Sequence, residues 1–311
     1  METTIRPMTA QDLGAADRVL RLAFGTERGL PDPMRFLGDA DLLRPRWRTN
    51  PAGCLVAEAG GQILGSVAVM DWGSLAVLGP LSIRPDCWNR GLARRLLAPA
   101  LLAAEAWGAR LTALYTQPGS PRHLRLYEDA GFLSRHLIAV MARPVDGTLS
   151  TAPPLLFSQL PPGWQAAALA GCRRITGAVL EGLDLDREIR ATAEQRLGDT
   201  ILLEAGGEIT GFALYHEGPG SEAGSGTLAI RFGAVRPGDA AGFQALLAAA
   251  AAQAARCGAR RLQASVTHAR RAAYAAMKAA GFRTELSGIA MTRPEAGGYD
   301  APEGLILEEW R

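Results

Sequence analysis

Residues 81–97 read Leu81-Ser-Ile-Arg-Pro-Asp-Cys-Trp-Asn-Arg-Gly-Leu-Ala-Arg-Arg-Leu-Leu97. The apolar run Leu75–Ile83 predicts a strand that ends at Arg84-Pro85, and a helical pattern runs from about Gly91 to Trp107. A strand-to-helix turn of this type aims backbone N–H groups and the positive end of a helix dipole at one point. That is an anion site suited to a pyrophosphate. Gly91 lets the backbone approach phosphates with no Cβ in the way. Arg90, Arg94 and Arg95 add positive charge on or near the turn.

Outward from this segment the chain reads as one unit. A strand near 3–6 leads into a helix from about Ala10 to Phe24, with Thr9 as its expected N-cap. The Pro- and Arg-rich stretch 27–51 mixes loop and short helix. Strands 54–59 and 62–71 meet at a Gly-Gly turn, a hairpin signal. After the helix come a strand at 110–115, a Pro/Gly loop, a short helix at 121–130 and strands beyond Phe132. The order β-α-β-β-β-α-β-α-β is an α/β unit with a mixed sheet.

The unit is then repeated. Leu55-Val-Ala-Glu-Ala-Gly-Gly-Gln-Ile-Leu-Gly65 returns as Ile201-Leu-Leu-Glu-Ala-Gly-Gly-Glu-Ile-Thr-Gly211. Ile83-Arg-Pro returns as Val235-Arg-Pro, and Ala130-Gly-Phe as Ala280-Gly-Phe, in the same order at nearly constant offset. The join falls near 144–160, where Pro144-Val-Asp-Gly-Thr-Leu-Ser-Thr-Ala-Pro-Pro154 breaks all periodicity. The expected domains are 1–146 and 155–293, with a tail at 294–311. The second copy predicts strands near 201–205, 208–215, 227–235, 260–266 and 284–291, and helices at 239–257 and 269–280. Leu305, Ile306, Leu307 and Trp310 predict that the tail docks as an added strand.

Composition agrees with two globular domains. The chain has 311 residues, 48% of them hydrophobic and 21% charged, with a net charge of +2. Such a balance argues against a bulk nucleic-acid binder. No apolar run spans a bilayer, and the N-terminus has no signal-peptide pattern, so a cytoplasmic protein without membrane or nucleic-acid partners is expected. Lys278 is the single lysine beside 32 arginines, which reads as a coding bias. Basic residues number 17 against 14 acidic over 1–146, and 16 against 17 over 147–311. Cysteines 54, 87, 172 and 257 and histidines 123, 136, 216 and 268 fit no metal spacing, and reduced thiols are expected.

The turn at 83–93 resembles the acyl-CoA-binding motif of the GNAT N-acetyltransferase superfamily. In that motif a strand hydrophobe is followed by Arg or Gln, Gly, and Gly or Ala, at the spacing of Ile83, Trp88, Gly91 and Ala93. Trp88 replaces the usual Arg or Gln. Ile5-Arg-Pro-Met-Thr-Ala-Gln-Asp-Leu13 is similar to the family's opening strand and helix, and Leu126-Tyr-Glu-Asp-Ala-Gly-Phe132 to its late signature. The resemblance implies two tandem GNAT folds, each a mixed, mostly antiparallel sheet flanked by helices, packed as an intramolecular pseudo-dimer. It implies acetyl-CoA as cofactor and direct acetyl transfer to the primary amine of a small molecule or a protein. Backbone groups of Leu81, Ser82 and Ile83 would meet the pantetheine arm. Trp88, Asn89, Arg90, Gly91, Leu92, Ala93 and Arg94 would wrap the pyrophosphate. Ser120 stands where relatives carry an Asn. Tyr127 matches the general acid; a phenol of pKa about 10 is a reasonable donor to a thiolate whose conjugate acid lies near about 8.5.

The general base stays open among Glu27, Asp32, Asp71 and His136. His123 is a candidate for the cleft lining, and Cys87 reads as an inert thiol. At the second copy's matching positions, Phe243 replaces Gly91 and Met277 replaces Tyr127, with Tyr274 one turn away and Gly238 and Gly242 left as a weak loop. The expectation is a second domain that has lost the cofactor. The alternative for the whole chain is a non-catalytic acyl-CoA-binding or regulatory protein.

Overall fold

The computed structural model describes residues 2–145, 153–294 and 299–311. These form two compact units. The first comprises 2–134, 291–294 and 310–311; the second comprises 135–145, 153–290 and 299–309.

In the first unit the order is β1 (Thr4–Pro7), α1 (Leu13–Glu27), α2 (Leu43–Thr49), β2 (Cys54–Ala59), β3 (Gln62–Trp72), β4 (Leu75–Ile83), α3 (Leu92–Ala106), β5 (Leu111–Thr116) and α4 (Pro121–Glu128). The strands lie in the order β1-β2-β3-β4-β5, antiparallel except for the parallel pair β4/β5. Helix α1 buries Leu13, Ala16, Val19 and Leu20 against Cys54, Val56, Ile63 and Ala68 of the sheet, and Ala23 is buried on the same helix. Helix α3 buries Leu92, Leu96, Leu97, Ala100, Leu101 and Ala104. These are the one-sided stripes that helical period requires, and their burial is what fixes each helix on the sheet.

Thr9 does not accept from the α1 terminus, as the sequence suggested. Its N–H and its hydroxyl both donate to Asp12 Oδ2, each at 2.8 Å. Asp12 also takes Arg6 Nη1 at 2.7 Å and Nη2 at 2.9 Å, while Arg6 Nε donates to Glu58 at 2.6 Å. A buried carboxylate gathers donors more strongly than a hydroxyl can, so Thr9 serves Asp12 rather than the helix end.

In the second unit β6 (Leu133–Pro144) runs antiparallel to β11 (Arg261–Thr267), in register from Ile138/Thr267 to Pro144/Arg261. The remaining elements are β7 (Leu155–Leu156), α5 (Pro162–Val179), α6 (Asp186–Glu194), β8 (Gly198–Ala205), β9 (Glu208–Gly218), β10 (Gly224–Val235), α7 (Ala240–Arg256), α8 (Arg271–Ala279), β12 (Arg283–Arg293) and β13 (Ile306–Glu308). The strand order is β12-β6-β11-β10-β9-β8-β7, with β13 on β10. Helices α5 and α6 occupy a stretch to which the sequence reading assigned no element. The four cysteines are free.

Arg6 and its hydrogen bonds hold the Asp12 carboxyl below the usual range, with desolvation opposing and Thr9 assisting. A depressed carboxylate stabilises the fold above its unfolded pKa, and that stability drains as pH falls through the folded value. Asp12→Asn should therefore cost about 1–3 kcal/mol in urea unfolding at pH 7. Its gap from the wild type should narrow only below pH about 3.9.

Candidate functional site

Strands β4 and β5 stay together for three residues: Leu75, Ala76 and Val77 pair with Leu111, Thr112 and Ala113. There β4 bulges. Its register against β3 jumps from Leu78/Val69 to Leu81/Val67, which leaves Gly79 and Pro80 as the irregular step. Gly79 adopts φ 149°, which favours glycine. Its carbonyl accepts from Nη1 of the buried Arg46 at 2.5 Å, and Arg46 Nη2 donates to Arg311 O at 2.5 Å. Pro80 has no N–H to offer a neighbour. Past the bulge, Ser82 Oγ lies 3.0 Å from Ser66 Oγ, a buried pair that keeps β4 on β3. The other edge of Leu81–Ile83 has departed from β5. The Ile83 carbonyl is already taken, by the Trp88 indole N–H at 2.7 Å.

The chain then folds through a 3-10 turn, Pro85–Cys87, and enters α3 through two left-handed residues, Asn89 at φ 62° and Gly91 at φ 75°. Gly91 is the N-cap of α3 and lacks a capping side chain. A Cβ placed on it would meet nothing within 4 Å. The first-turn N–H groups of Leu92, Ala93 and Arg94 have no carbonyl inside the helix to receive them. An exposed, donor-lined face thus sits at the positive end of a 15-residue helix. Arg90 is exposed on this turn, but Arg94 donates to Asp129 at 2.6 Å and Arg95 to the Thr3 carbonyl at 2.5 Å. Arg84 is held in a two-pronged pair with Asp86 at 2.7 and 2.9 Å.

Ser120 is the N-cap of α4, and its side-chain hydroxyl makes no cap bond. Tyr127, on the same helix, is 9% exposed and meets Phe132 edge-on at 5.9 Å. Burial pushes its phenol up to about 12. The four base candidates are scattered. Glu27 accepts from Arg122 at 2.9 Å. Asp32 accepts from the Met34 N–H at 3.1 Å, and Asp71 from the Gly73 N–H at 3.0 Å. His136 belongs to the second unit, 3.6 Å from Asp300, beside a cavity of about 240 Å³ that His268 and Arg271 also line. His123 is half-buried. Desolvation lowers its pKa, Glu27 raises it and Arg122 lowers it. Cys87 is buried. Among the described residues no group of three or more His, Cys, Asp or Glu is placed to hold a metal, and no helix is long and apolar enough to cross a membrane.

Two features of weight were not read from sequence, and a third, the expected tail strand, was read without its partner. Arg122 lies over the Trp88 ring, 4.7 Å from its centre. The other two concern the second unit. There β10 and β11 pair in parallel only from Thr227/Arg261 to Ala229/Gln263. Beyond that point β13 joins β10 antiparallel, with Phe232, Gly233 and Ala234 opposite Glu308, Leu307 and Ile306. The edge that β4 leaves open is covered on β10 by the chain's own tail. Glu308 anchors it: Arg270 donates Nε and Nη2 to the two carboxylate oxygens, each at 3.2 Å, and the Tyr299 hydroxyl donates to one of them. Arg270 and Glu308 are wholly buried. Finally, Asp239 caps α7 by accepting from the Gly242 N–H at 2.7 Å. A carboxylate thus stands on the α7 terminus, where α3 has only Gly91. Phe243 and Met277 are core residues at 0% exposure, and Tyr274 packs on His268 at 4.6 Å.

Residues 21–132 match the Acetyltransferase (GNAT) family. The fold extends over the whole chain. A presumed acetyltransferase from Pyrococcus horikoshii superposes with a TM-score of 0.70 at 15% identity, covering 99% of this chain and 95% of that one. A GCN5-related N-acetyltransferase from Sphaerobacter thermophilus does so with a TM-score of 0.59 at 18% identity, over 94% and 95%. One from Anabaena variabilis gives 0.51 at 13% identity, over 94% and 72%. No curated protein matches the chain in sequence.

The left-handed Gly91 gives a direct check on the turn. Gly91→Val should lower stability by about 1–2 kcal/mol in urea unfolding, because a branched side chain is forced into that conformation although there is space for it.

Proposed function

We propose that the chain is an acetyl-CoA-dependent N-acetyltransferase that transfers acetyl directly to a primary amine, on a small molecule or a protein, at a single site in the first unit. The observation that carries this reading is the open, uncapped Gly91 terminus of α3 at the end of a strand that has left its neighbour. The residues fit acetyl-CoA. The donor-lined turn suits a pyrophosphate, and the freed edge of Leu81–Ile83 suits an amide-bearing arm. When bound, the group supplies a thioester carbonyl activated toward attack by an amine.

The chain's own contribution follows from position and charge. N–H groups of the turn 89–94 neutralise the phosphates, with Arg90 adding a guanidinium and Trp88 flanking them. Leu81 and Ile83 orient the arm along β4, and Ser120 flanks it at the start of α4. Tyr127 holds a proton at Oη for the departing thiolate. The phenol is protonated across the whole physiological range, and its burial, which raises the pKa to about 12, makes it a weaker donor than an exposed tyrosine. The second unit is read as a copy without cofactor. Asp239 on α7 and β13 along β10 stand against the two contacts that an anionic, arm-bearing ligand would need. One observation favours the alternative, a non-catalytic acyl-CoA-binding protein: Tyr127 is packed on Phe132 with little exposure.

Calorimetry with coenzyme A should give one site per chain. Thiol release from acetyl-CoA across a panel of amines should fall about 10²–10⁴-fold in Tyr127→Phe with coenzyme A affinity unchanged. The wild-type rate should show no falling limb from Tyr127 below pH about 11, since the acid is still protonated there. Coenzyme A binding with no turnover on any amine would select the non-catalytic reading; two sites per chain would remove the single-site assignment.

A further inference from the structure

The gap that opens beyond Val77/Ala113 has two banks. One is the end of β4 and the turn that leads into α3. The other is the end of β5 and the start of α4. Arg122, the second residue of α4, reaches from the second bank to the first. Its guanidinium lies 4.7 Å from the centre of the Trp88 ring, and its Nη2 donates to Glu27 Oε2, at the end of α1, at 2.9 Å. Trp88 does not swing: its indole N–H is fastened to the Ile83 carbonyl of its own bank at 2.7 Å. The stack therefore lies beside the turn that carries the open face of Gly91.

This bridge is weakly held. Arg122 is 43% exposed and Glu27 28%. Such a pair is worth about 0–1 kcal/mol, and an exposed cation–π contact about 0.5–1 kcal/mol. A guanidinium over a ring face touches the ring through its carbon and leaves N–H groups free at its rim. It can change hydrogen-bond partners at its rim without leaving the ring face. Phosphate oxygens offer that rim a stronger, two-pronged partner than one carboxylate oxygen does. The other arginines near the turn come from its own bank. Arg84 pairs with Asp86, Arg94 with Asp129 and Arg95 with the Thr3 carbonyl.

We propose that Arg122 is a ligand of the phosphates of acetyl-CoA, with Glu27 as its counter-ion in the empty protein and Trp88 as the platform on which it changes partners. The proposal rests on the reading of the Gly91 turn as the acetyl-CoA site and adds a residue from the facing bank. It gives Trp88 a purpose as a neutral ring at a phosphate turn: the ring recruits a cation from α4. It also makes Glu27 a competitor of the ligand rather than a proton acceptor.

A purely structural ion pair and an exchangeable one respond differently to loss of either partner. If Arg122 is exchanged, removing it weakens coenzyme A binding, whereas removing Glu27 frees Arg122, relieves repulsion of the phosphates and tightens binding. Calorimetric titration of the full chain with coenzyme A is the test. Arg122→Ala should raise Kd about tenfold, and Arg122→Lys, which keeps the charge without the planar fork, by a smaller factor. Glu27→Gln should lower Kd about threefold. The Kd of the wild type should also rise more steeply with salt than that of Arg122→Ala. The proposal is overturned if Arg122→Ala binds like the wild type, or if Arg122→Ala and Glu27→Gln both weaken binding. Should Arg122→Ala fail to fold, Glu27→Gln alone decides, and unchanged or weaker binding counts against the proposal. A wild type that does not bind coenzyme A at all would instead remove the acetyl-CoA reading on which the proposal stands.

Discussion

The parting of β4 from β5 after Val77 and Ala113 is the constraint on which the proposed site of the first unit depends. A parallel pair with a helical crossover normally stays zipped, because every unpaired N–H and C=O costs free energy when it leaves water. Here the separation is supported locally. Pro80 has no N–H to lose, the Gly79 carbonyl is given to Arg46, and Ser66 and Ser82 hold the far side of β4. The result is a strand with one edge spent and one edge free, ending at a helix terminus. The same parting occurs after Ala229 and Gln263 in the second unit, and there the free edge is used by β13. One device thus has two outcomes: an edge that β5 leaves unpaired, or an edge satisfied by the chain itself.

Electrostatics at the helix ends follows the same division. The α3 terminus presents donors, a left-handed glycine and no capping carboxylate; the α7 terminus is capped by Asp239. A fixed carboxylate and a polyanion compete for the same few N–H groups and repel one another, so a capped terminus is a poor phosphate site. Phe243 and Met277 are core residues of that unit. The buried Arg270–Glu308 pair makes the tail strand specific to its place, because either charge alone in that interior would be costly.

Much of the architecture is legible in the sequence, because its signals are local. The hairpin at 54–72, the strand 75–83, the helix from Leu92 and their counterparts near 200–256 are each announced by apolar period and by glycine turns. Helices α5 and α6 were missed for physical reasons. Pro161-Pro162-Gly163 reads as loop, α5 presents a small-residue face interrupted by arginines, and α6 buries little beyond Ile189 and Thr192. Thr9 was misjudged because its partner, Asp12, is itself claimed by an arginine from β1.

The site divides in the same way. By itself the sequence determined the Gly91 turn, the helix behind it and the position of Tyr127 on a short helix, since each depends on residues within a few turns of one another. Only the tertiary structure decided that Arg122 meets a Glu27 lying 95 positions away and crosses to Trp88. It likewise decided that Glu308 finds Arg270 at a separation of 38 and that the last strand covers β10. Those pairings have no periodicity to betray them. They are chosen by which strand edges and charges remain unsatisfied once the local elements have packed, and that balance exists only in the assembled fold.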